Sequence, residues 1–294
     1  MLPPLRTLLD GLIDYAGLFP PAALAMPEAV LNYAAYRTGP DRWALGRFVV
    51  TAERLPEFER AADGLAVPGD PWLLSVLVGA NDAGQVEAAR AFHARHADLG
   101  DARADVLEGR AAGAEAVAAL AAAARPEFTL YVEVPADPDP APLIAAIGAA
   151  GVRAKIRTGG VTADAFPTAA QVARFLAACI RAGVPFKATA GLHHPIRAVY
   201  PLTYAPDAPR GTMFGYLNVF LAATLLHAGG SEADAMQLLE ETRLGAFAFS
   251  DDGVHWDGHR FTLADLAGTR RLALGVGSCS FDEPLDDLAT AGLR

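Results

Sequence analysis

The sequence predicts an α/β fold, a (β/α)8 TIM barrel that forms one domain over residues 1–294. Short apolar or β-branched runs alternate with longer helical patterns along the chain. Eight such pairs within 294 residues fit the usual length of this barrel. No segment rich in Gly and Ser divides the chain, so we expect a single domain.

The predicted strands are short and apolar, as buried parallel strands usually are. They are Leu12–Leu18, Gly46–Thr51, Trp72–Val78, Ala104–Glu108, Phe128–Val134, Val152–Arg157, Pro185–Ala190 and Ala246–Ser250. The helical patterns that follow them are Pro27–Arg37, Leu55–Gly64, Asp82–His96, Ala111–Ala124, Pro140–Ala150, Thr168–Ala182, Thr212–Thr242 and Leu263–Leu274. An open doubly wound sheet is the alternative, but it requires a phosphate-loop fingerprint after the first strand, and Phe19-Pro20-Pro21-Ala22 is not one.

Two irregular segments interrupt this alternation. A long proline-rich loop, Leu192–Gly211, follows the seventh predicted strand, and loops of that length are often functional. A small hairpin is expected in Ser250–Phe261, after the eighth predicted strand, because Asp252-Gly253 and Asp257-Gly258 are turn dipeptides. The uncharged segment Gly211–Ser231 is long enough to cross a bilayer. Its polar residues favour a buried helix instead.

Composition and charge argue against some classes of partner and indicate the cellular compartment. The net charge of −10 argues against nucleic-acid binding, which normally requires a basic surface. Two cysteines, Cys179 and Cys279, cannot form a disulfide scaffold, so we expect a cytoplasmic protein. Asp10 and Asp14 interrupt the apolar start of the chain, so we expect no signal peptide. No P-loop or Rossmann fingerprint is present, and we expect no cofactor. The sequence leaves open whether the protein forms a homo-oligomer.

Lysine is almost absent from the chain. Of 24 basic residues, 22 are arginine, and the two lysines are Lys155 and Lys187. A bias toward GC-rich codons explains the arginine excess. Arginine supplies surface charge equally well but cannot supply a deprotonatable amine, so both lysines are candidates for amine chemistry.

Side chains that alternate along the predicted strands place ionisable groups inside the barrel. The strongly apolar phase should face the helices, which leaves the other phase for the interior. On the fourth strand either Val106 and Glu108 or Asp105 and Leu107 face inward, and we favour the first pair. The predicted interior then holds Asp14, Glu108, Glu133, Lys155, Arg157 and Lys187. Thr189 faces inward on the same strand as Lys187 and is a candidate for binding substrate.

Buried ionisable groups in this number require pairing. Lys155 and Lys187 lie on neighbouring predicted strands, about 4.8 Å apart. Two ammonium groups at short range repel, so one of them loses its proton more easily and can attack a carbonyl to form a Schiff base. Carboxylates can relay protons during this chemistry. The alternative is a structural ion network in which Glu108 and Glu133 neutralise the lysines.

A short motif begins at each lysine. Lys155-Ile156-Arg157-Thr158-Gly159 has the form K-x-x-T-G, and the second motif is Lys187-Ala188-Thr189-Ala190-Gly191-Leu192. The first resembles the Schiff-base strand and the second resembles the second lysine strand of deoxyribose-phosphate aldolases, a family of class I aldolases. Leu12-Ile13-Asp14-Tyr15 resembles their first strand, and Val132-Glu133 their fifth. The resemblance implies a lyase of carbohydrate metabolism in which Lys155 is the nucleophile, Lys187 tunes it and Asp14 joins the proton relay.

The chain departs from that family where a sugar phosphate would bind. His193-His194-Pro195 follows the seventh predicted strand, and Ser250-Asp251-Asp252-Gly253 ends the eighth, where two aspartates would repel a phosphate. Arg157, Arg197 and the two histidines could hold a carboxylate instead. We therefore expect a small carbonyl substrate, an aldehyde or an oxo acid, that need not be phosphorylated.

Two other functions remain open at this point. His193, His194 and Asp251 could form a metal site, or the barrel could bind a metabolite without catalysis. Two loops, Asp14–Ala22 and Gly277–Pro284, are rich in Gly, Pro and small polar residues, as loops over a site often are. We expect Pro20, Pro21, both histidines and Ser278–Asp282 to lie near the Lys155 amine.

Overall fold

The computed structural model describes residues 1–80 and 82–294. The strands in chain order are β1 (Ile13–Tyr15), β2 (Leu45–Thr51), β3 (Trp72–Leu77), β4 (Ala102–Arg110), β5 (Thr129–Val134), β6 (Arg153–Arg157), β7 (Phe186–Thr189), β8 (Ala198–Pro201), β9 (Arg210–Met213), β10 (Ala248–Ser250), β11 (Gly253–Trp256), β12 (His259–Thr262) and β13 (Ala273–Ser278). The α-helices are α1 (Pro3–Leu9), α2 (Met26–Thr38), α3 (Leu55–Ala62), α4 (Ala83–Leu99), α5 (Ala114–Ala124), α6 (Ala141–Ala149), α7 (Ala169–Ala182), α8 (Tyr216–His227), α9 (Glu232–Glu240), α10 (Leu263–Thr269) and α11 (Asp282–Thr290).

Eight parallel strands of the described residues close into a barrel in the order β1-β13-β7-β6-β5-β4-β3-β2. The predicted (β/α)8 architecture is therefore confirmed. Outward side chains such as Leu130, Val132 and Val134 of β5 are buried among apolar residues, as the predicted phase requires. Burial of this apolar layer stabilises the barrel by roughly 25 cal/mol for each Å² removed from water.

The eighth barrel strand is β13, and the prediction of Ala246–Ser250 is wrong. β13 pairs with both β1 and β7, so it joins the first strand to the seventh. Ala248–Ser250 instead pairs antiparallel with β11 outside the barrel. The pattern missed β13 because Gly275 and Gly277 interrupt its apolar side chains, and glycine disfavours a strand assignment.

The expected hairpin in Ser250–Phe261 exists, as β11 and β12, but it precedes the eighth barrel strand rather than following it. Together with β10 it forms a three-stranded antiparallel sheet. This sheet packs against α1, the helix that leads into β1. The sheet therefore belongs to the amino end of the barrel, away from the carboxyl ends of the strands.

The segment after β7 is more structured than the sequence indicated. The expected loop contains β8 and β9, which pair antiparallel into a hairpin. The predicted helical region Thr212–Thr242 divides into α8 and α9, because Ser231 begins α9 with a capping box closed by Asp234. The side chains of α8 are buried on every face of the helix, as predicted for the segment Gly211–Ser231. No helix within the described residues has the length and apolar character to span a bilayer.

Candidate active site

Lys155 and Lys187 lie inside the barrel, as the strand phase predicts. They are direct partners in the register of β6 and β7. Both side chains are nearly inaccessible to solvent, with 5% of Lys155 and 2% of Lys187 exposed. Two buried ammonium groups side by side are unstable unless carboxylates accompany them.

Glu108 on β4 supplies the first of these carboxylates. Its Oε2 accepts a hydrogen bond from the Lys155 amine at 2.8 Å, and its Oε1 accepts one from the Lys187 amine at 2.6 Å. The hydroxyl of Ser75 on β3 also donates to Oε1, at 2.7 Å. Glu108 therefore faces the interior, in the phase that we favoured, and each of its oxygens holds one lysine.

Asp14 on β1 supplies a second carboxylate. Its Oδ2 accepts from the Lys187 amine at 2.6 Å, and its Oδ1 accepts from the backbone N–H of Arg47 at 2.7 Å. The neighbouring Gly46 leaves room for this carboxylate, because a Cβ there would lie 2.3 Å from Oδ1. Asp14 is thus fixed at both oxygens and holds Lys187 on the side away from Lys155.

Glu133 on β5 stands on the other side of Lys155. Its Oε2 lies 3.0 Å from the Lys155 amine, while its Oε1 accepts a hydrogen bond from Arg110 at 2.8 Å. Glu133 and Lys155 are partners in the register of β5 and β6. The Lys155 amine therefore lies between two carboxylates.

The charges of this cluster follow from its contacts. Burial alone would raise the pKa of Glu108, but the ammonium groups of Lys155 and Lys187 outweigh burial and hold that pKa well below its usual range. Burial alone would lower the pKa of Lys187, but the carboxylates of Asp14 and Glu108 outweigh it and raise that pKa. Glu108 is therefore an anion and Lys187 a cation at neutral pH.

A cavity of ≈ 240 Å³ opens above the lysines at the carboxyl ends of the strands. Its polar side chains include Glu108, Lys155, Arg157, Lys187, Thr189, His193 and Cys279. Its apolar wall includes Phe19, Pro20, Pro21, Val49, Leu77, Val161, Leu202 and Met213. Leu202 and Met213 belong to the β8–β9 hairpin and its turn, so this hairpin covers part of the mouth.

Pro20, Pro21 and His193 line the same cavity as Lys155, as expected, and so do Gly277 and Cys279 from the end of β13 and the residue after it. Of the segment Ser278–Asp282 expected near the Lys155 amine, Cys279 lines the cavity, Ser278 ends β13 and Asp282 begins α11.

His194 and Arg197 lie outside the lining of this cavity, contrary to the expectation that they bind substrate with His193. The His194 Nδ1 lies 2.6 Å from a carboxylate oxygen of Asp287, and its ring stacks on Tyr200 at 3.5 Å. His194 lines an adjoining cavity instead. The Arg197 guanidinium lies 5.6 Å from the ring of Phe214. Folding of the loop into the β8–β9 region directs both side chains into packing contacts.

His193 separates the two cavities, since it lines both. Its Nδ1 lies 3.1 Å from the Ser278 hydroxyl and 3.5 Å from a carboxylate oxygen of Glu283. Burial lowers the pKa of His193 to about 4, and the neighbouring His194 acts in the same direction. His193 is therefore a neutral imidazole at pH 7, able to accept or donate one hydrogen bond toward a ligand.

The structure does not bring together the three residues of the metal alternative. Asp251 lies in the turn between β10 and β11, in the sheet at the amino end of the barrel, while His193 and His194 follow β7 at the opposite end. Across residues 1–80 and 82–294, no group of three or more His, Cys, Asp or Glu side chains is arranged to hold a metal ion.

Sequence reasoning missed several members of the site. Ser75 binds Glu108, Arg110 binds Glu133, and the ring of Tyr131 lies 5.4 Å from the Lys187 amine. Tyr131 lies two residues before Glu133 on β5, so the phase that places Glu133 inside also places Tyr131 there, and alternation along β3 could have placed Ser75 inside. Cys279 could not be assigned because the strand that it follows, β13, was not recognised.

Comparisons of the whole chain with known proteins give no family. No protein-family model matches the sequence, and a search of curated proteins finds no match. The geometry of the site is therefore the basis for inferring its function.

Proposed function

We propose that this protein is a class I aldolase-like lyase in which Lys155 forms a Schiff base with a small carbonyl substrate. One observation supports this most strongly. The Lys155 amine lines a cavity, lies between two carboxylates, and is next to a second lysine that its own carboxylates keep protonated. This arrangement contains a nucleophile, an electrostatic partner and groups able to move protons.

Lys155 is the better nucleophile of the two lysines. Lys187 donates hydrogen bonds of 2.6 Å to both Asp14 and Glu108, and these contacts hold its proton. Lys155 shares Glu108 with that fixed cation, and its side chain is the more accessible of the two at the cavity. Its other carboxylate, Glu133, is partly accessible, and although burial alone would raise its pKa, the charges of Lys155 and Arg110 hold that pKa below its usual value. Glu133 is therefore an anion beside the amine and is placed to accept its proton.

The first chemical step balances within this cluster. The neutral Lys155 nitrogen attacks the carbonyl carbon, and the proton lost from nitrogen passes through Glu133 to the carbonyl oxygen. Glu133 takes the ammonium proton of Lys155 before the attack and returns it to that oxygen as the second proton, so the oxygen leaves as water and the iminium ion forms. In the cleavage direction, a hydroxyl on the β carbon gives its proton to Glu133, the carbon–carbon bond breaks, a carbonyl product leaves, and the electrons of the broken bond enter the iminium to give an enamine. Protonation of the enamine and hydrolysis release the product and restore Lys155.

Borohydride trapping tests the proposal. The protein is incubated with acetaldehyde, acetone, glycolaldehyde or pyruvate, reduced with sodium borohydride, digested and mapped by mass spectrometry. We expect a stable secondary amine on Lys155 with at least one of these compounds. Lys155→Arg is the matched control, since it keeps the positive charge between Glu108 and Glu133 but cannot form the adduct.

Two results would contradict the proposal. An adduct on Lys187 that persists in Lys155→Arg would reverse the roles of the lysines. The absence of any adduct in the wild-type protein would remove the main support for a Schiff-base enzyme and favour a barrel that binds a metabolite without catalysis.

A further inference from the structure

The formal charges of the lysine cluster sum to zero. The cavity holds a further cation, Arg157, outside this balance. Asp14, Glu108 and Glu133 contribute three negative charges, and Lys155, Lys187 and Arg110, which contact them directly, contribute three positive charges. A Schiff base on Lys155 does not disturb this balance, because the iminium ion is also a cation. Arg157 adds a positive charge that none of these carboxylates contacts.

Arg157 is placed to meet the substrate. It lies two residues after Lys155 on β6, so both side chains project from the same face of the strand. Both line the cavity. Among the described residues that line it, Arg157 is the one arginine. Within residues 1–80 and 82–294, its guanidinium makes no ion pair and donates no hydrogen bond to the protein. Its donors are therefore available to a ligand.

We propose that the substrate is an oxo acid whose carboxylate pairs with the Arg157 guanidinium while its carbonyl carbon reacts at Lys155. This inference depends on the Schiff-base function proposed above and specifies its substrate class. A guanidinium matches a planar carboxylate with two parallel hydrogen bonds, and such charge-assisted pairs are the stronger kind. The remaining wall is largely apolar, which suits a short aliphatic chain beside the two polar ends.

The spacing favours a short acid over a sugar phosphate. Two residues along a strand span about 6.6 Å at roughly 3.3 Å per residue, so the Lys155 and Arg157 backbones are close together. Both side chains are long enough to converge on groups only one or a few bonds apart. A phosphate at the far end of a sugar would be separated from the carbonyl by several more bonds than this spacing allows.

A matched pair of ketones tests the inference. Pyruvate and pyruvamide share the reacting ketone, but only pyruvate carries a carboxylate. Rates of borohydride trapping on Lys155 are measured for both compounds in the wild-type protein and in Arg157→Gln. We expect Arg157→Gln to slow trapping of pyruvate about 10- to 100-fold, as for the loss of a charged hydrogen bond, and to change trapping of pyruvamide less than about twofold.

Arg181→Gln is the control for loss of one positive charge. Arg181 lies exposed on α7, where it pairs with Glu232, and we expect both ketones to react with this variant as with the wild-type protein. Competition by acetate and by inorganic phosphate then distinguishes the two anions. We expect acetate to slow trapping of pyruvate more than phosphate does.

The outcomes separate this inference from the proposed function. Three results would overturn the oxo-acid inference but not Schiff-base formation. Arg157→Gln could slow trapping of both ketones equally, it could slow trapping of neither, or phosphate could compete more strongly than acetate. Trapping of acetaldehyde but not of pyruvate would do the same. Failure of every carbonyl compound to give an adduct would overturn both.

Discussion

Lys155 and Lys187 lie opposite each other on neighbouring strands and donate to the two oxygens of one carboxylate, that of Glu108. Each lysine has a second carboxylate of its own, Glu133 for Lys155 and Asp14 for Lys187. The proton on either amine is therefore coupled to the other through Glu108. The predictions that follow concern this coupling and the walls of the cavity above it.

Glu108→Gln should destabilise the protein by about 3–5 kcal/mol, the usual cost of removing one partner from a buried ion network. The neutral amide leaves two buried ammonium groups without their shared counter-ion. Urea denaturation at pH 7 measures the free energy of unfolding. The double variant Glu108→Gln/Lys187→Met removes one of the two cations and should be more stable than Glu108→Gln alone. If Glu108→Gln costs less than about 1 kcal/mol, the shared carboxylate does not stabilise the fold as we infer.

Lys187→Met should slow formation of the Lys155 adduct at pH 7 by about tenfold or more, because it removes the cation beside the reacting amine. The wild-type Lys187 stays protonated, because Asp14 and Glu108 raise its pKa. Without this cation, Glu108 and Glu133 hold the proton on Lys155 more strongly. The trapping rate in the variant should recover in part at higher pH.

Lys187→Arg supplies the matched control for that experiment, because it keeps a positive charge beside Asp14 and Glu108. We expect its trapping rate at pH 7 to lie nearer to that of the wild-type protein than to that of Lys187→Met. A pH-independent loss of trapping in Lys187→Met would instead indicate that the lysine serves only to shape the site.

His193 should make the protein less stable in acid. Burial lowers its pKa to about 4, whereas an unfolded chain protonates histidine near pH 6.5. As the pH falls from about 6.5 to 4, the unfolded state gains a proton that the folded state does not, so stability declines. The full effect is about 3 kcal/mol. His193→Gln should flatten this part of the curve of unfolding free energy against pH, and an unchanged curve would exclude a buried neutral His193.

Ala190→Gly should stabilise the protein by about 0.5–1 kcal/mol. Ala190 has a φ of +66°, a left-handed conformation that costs alanine about 1–2 kcal/mol. Glycine adopts this conformation without that cost, but its greater entropy in the unfolded chain offsets about 0.5–1 kcal/mol of the gain. Thr158 Oγ1 donates to the Ala190 carbonyl at 2.7 Å and holds this turn at the edge of the cavity. Thermal unfolding measures the change. Ala188→Gly, in the regular part of β7, is the control and should be destabilising.

Strand patterns predicted which side chains face the barrel interior where polar and apolar residues alternate. A period of two is a local property, so the inward positions of Asp14, Glu133, Lys155 and Lys187 follow from the residues of each strand alone. The scarcity of lysine drew attention to two amines that lie side by side in the folded barrel. The pattern left two phases open for β4, and only the contacts of Glu108 with both lysines distinguish them.

Local patterns did not predict the elements that depend on distant partners. β13 is rich in glycine and becomes a strand because β1 and β7 leave a gap that it closes. Ala248–Ser250 has a stronger strand pattern, yet it pairs with β11 instead. Arg197 and His194 carry suitable chemistry for a ligand, but Phe214, Tyr200 and Asp287 engage them after folding.

The amino-acid sequence alone thus specifies the barrel class, the inward phase of most strands and the two amines, because these depend on periodicity and composition. Closure of the barrel by β13 and the sharing of Glu108 by two lysines arise only in the folded chain. Each of them is a relation between groups far apart in sequence, whose energies depend on which groups are brought within hydrogen-bond distance and removed from water.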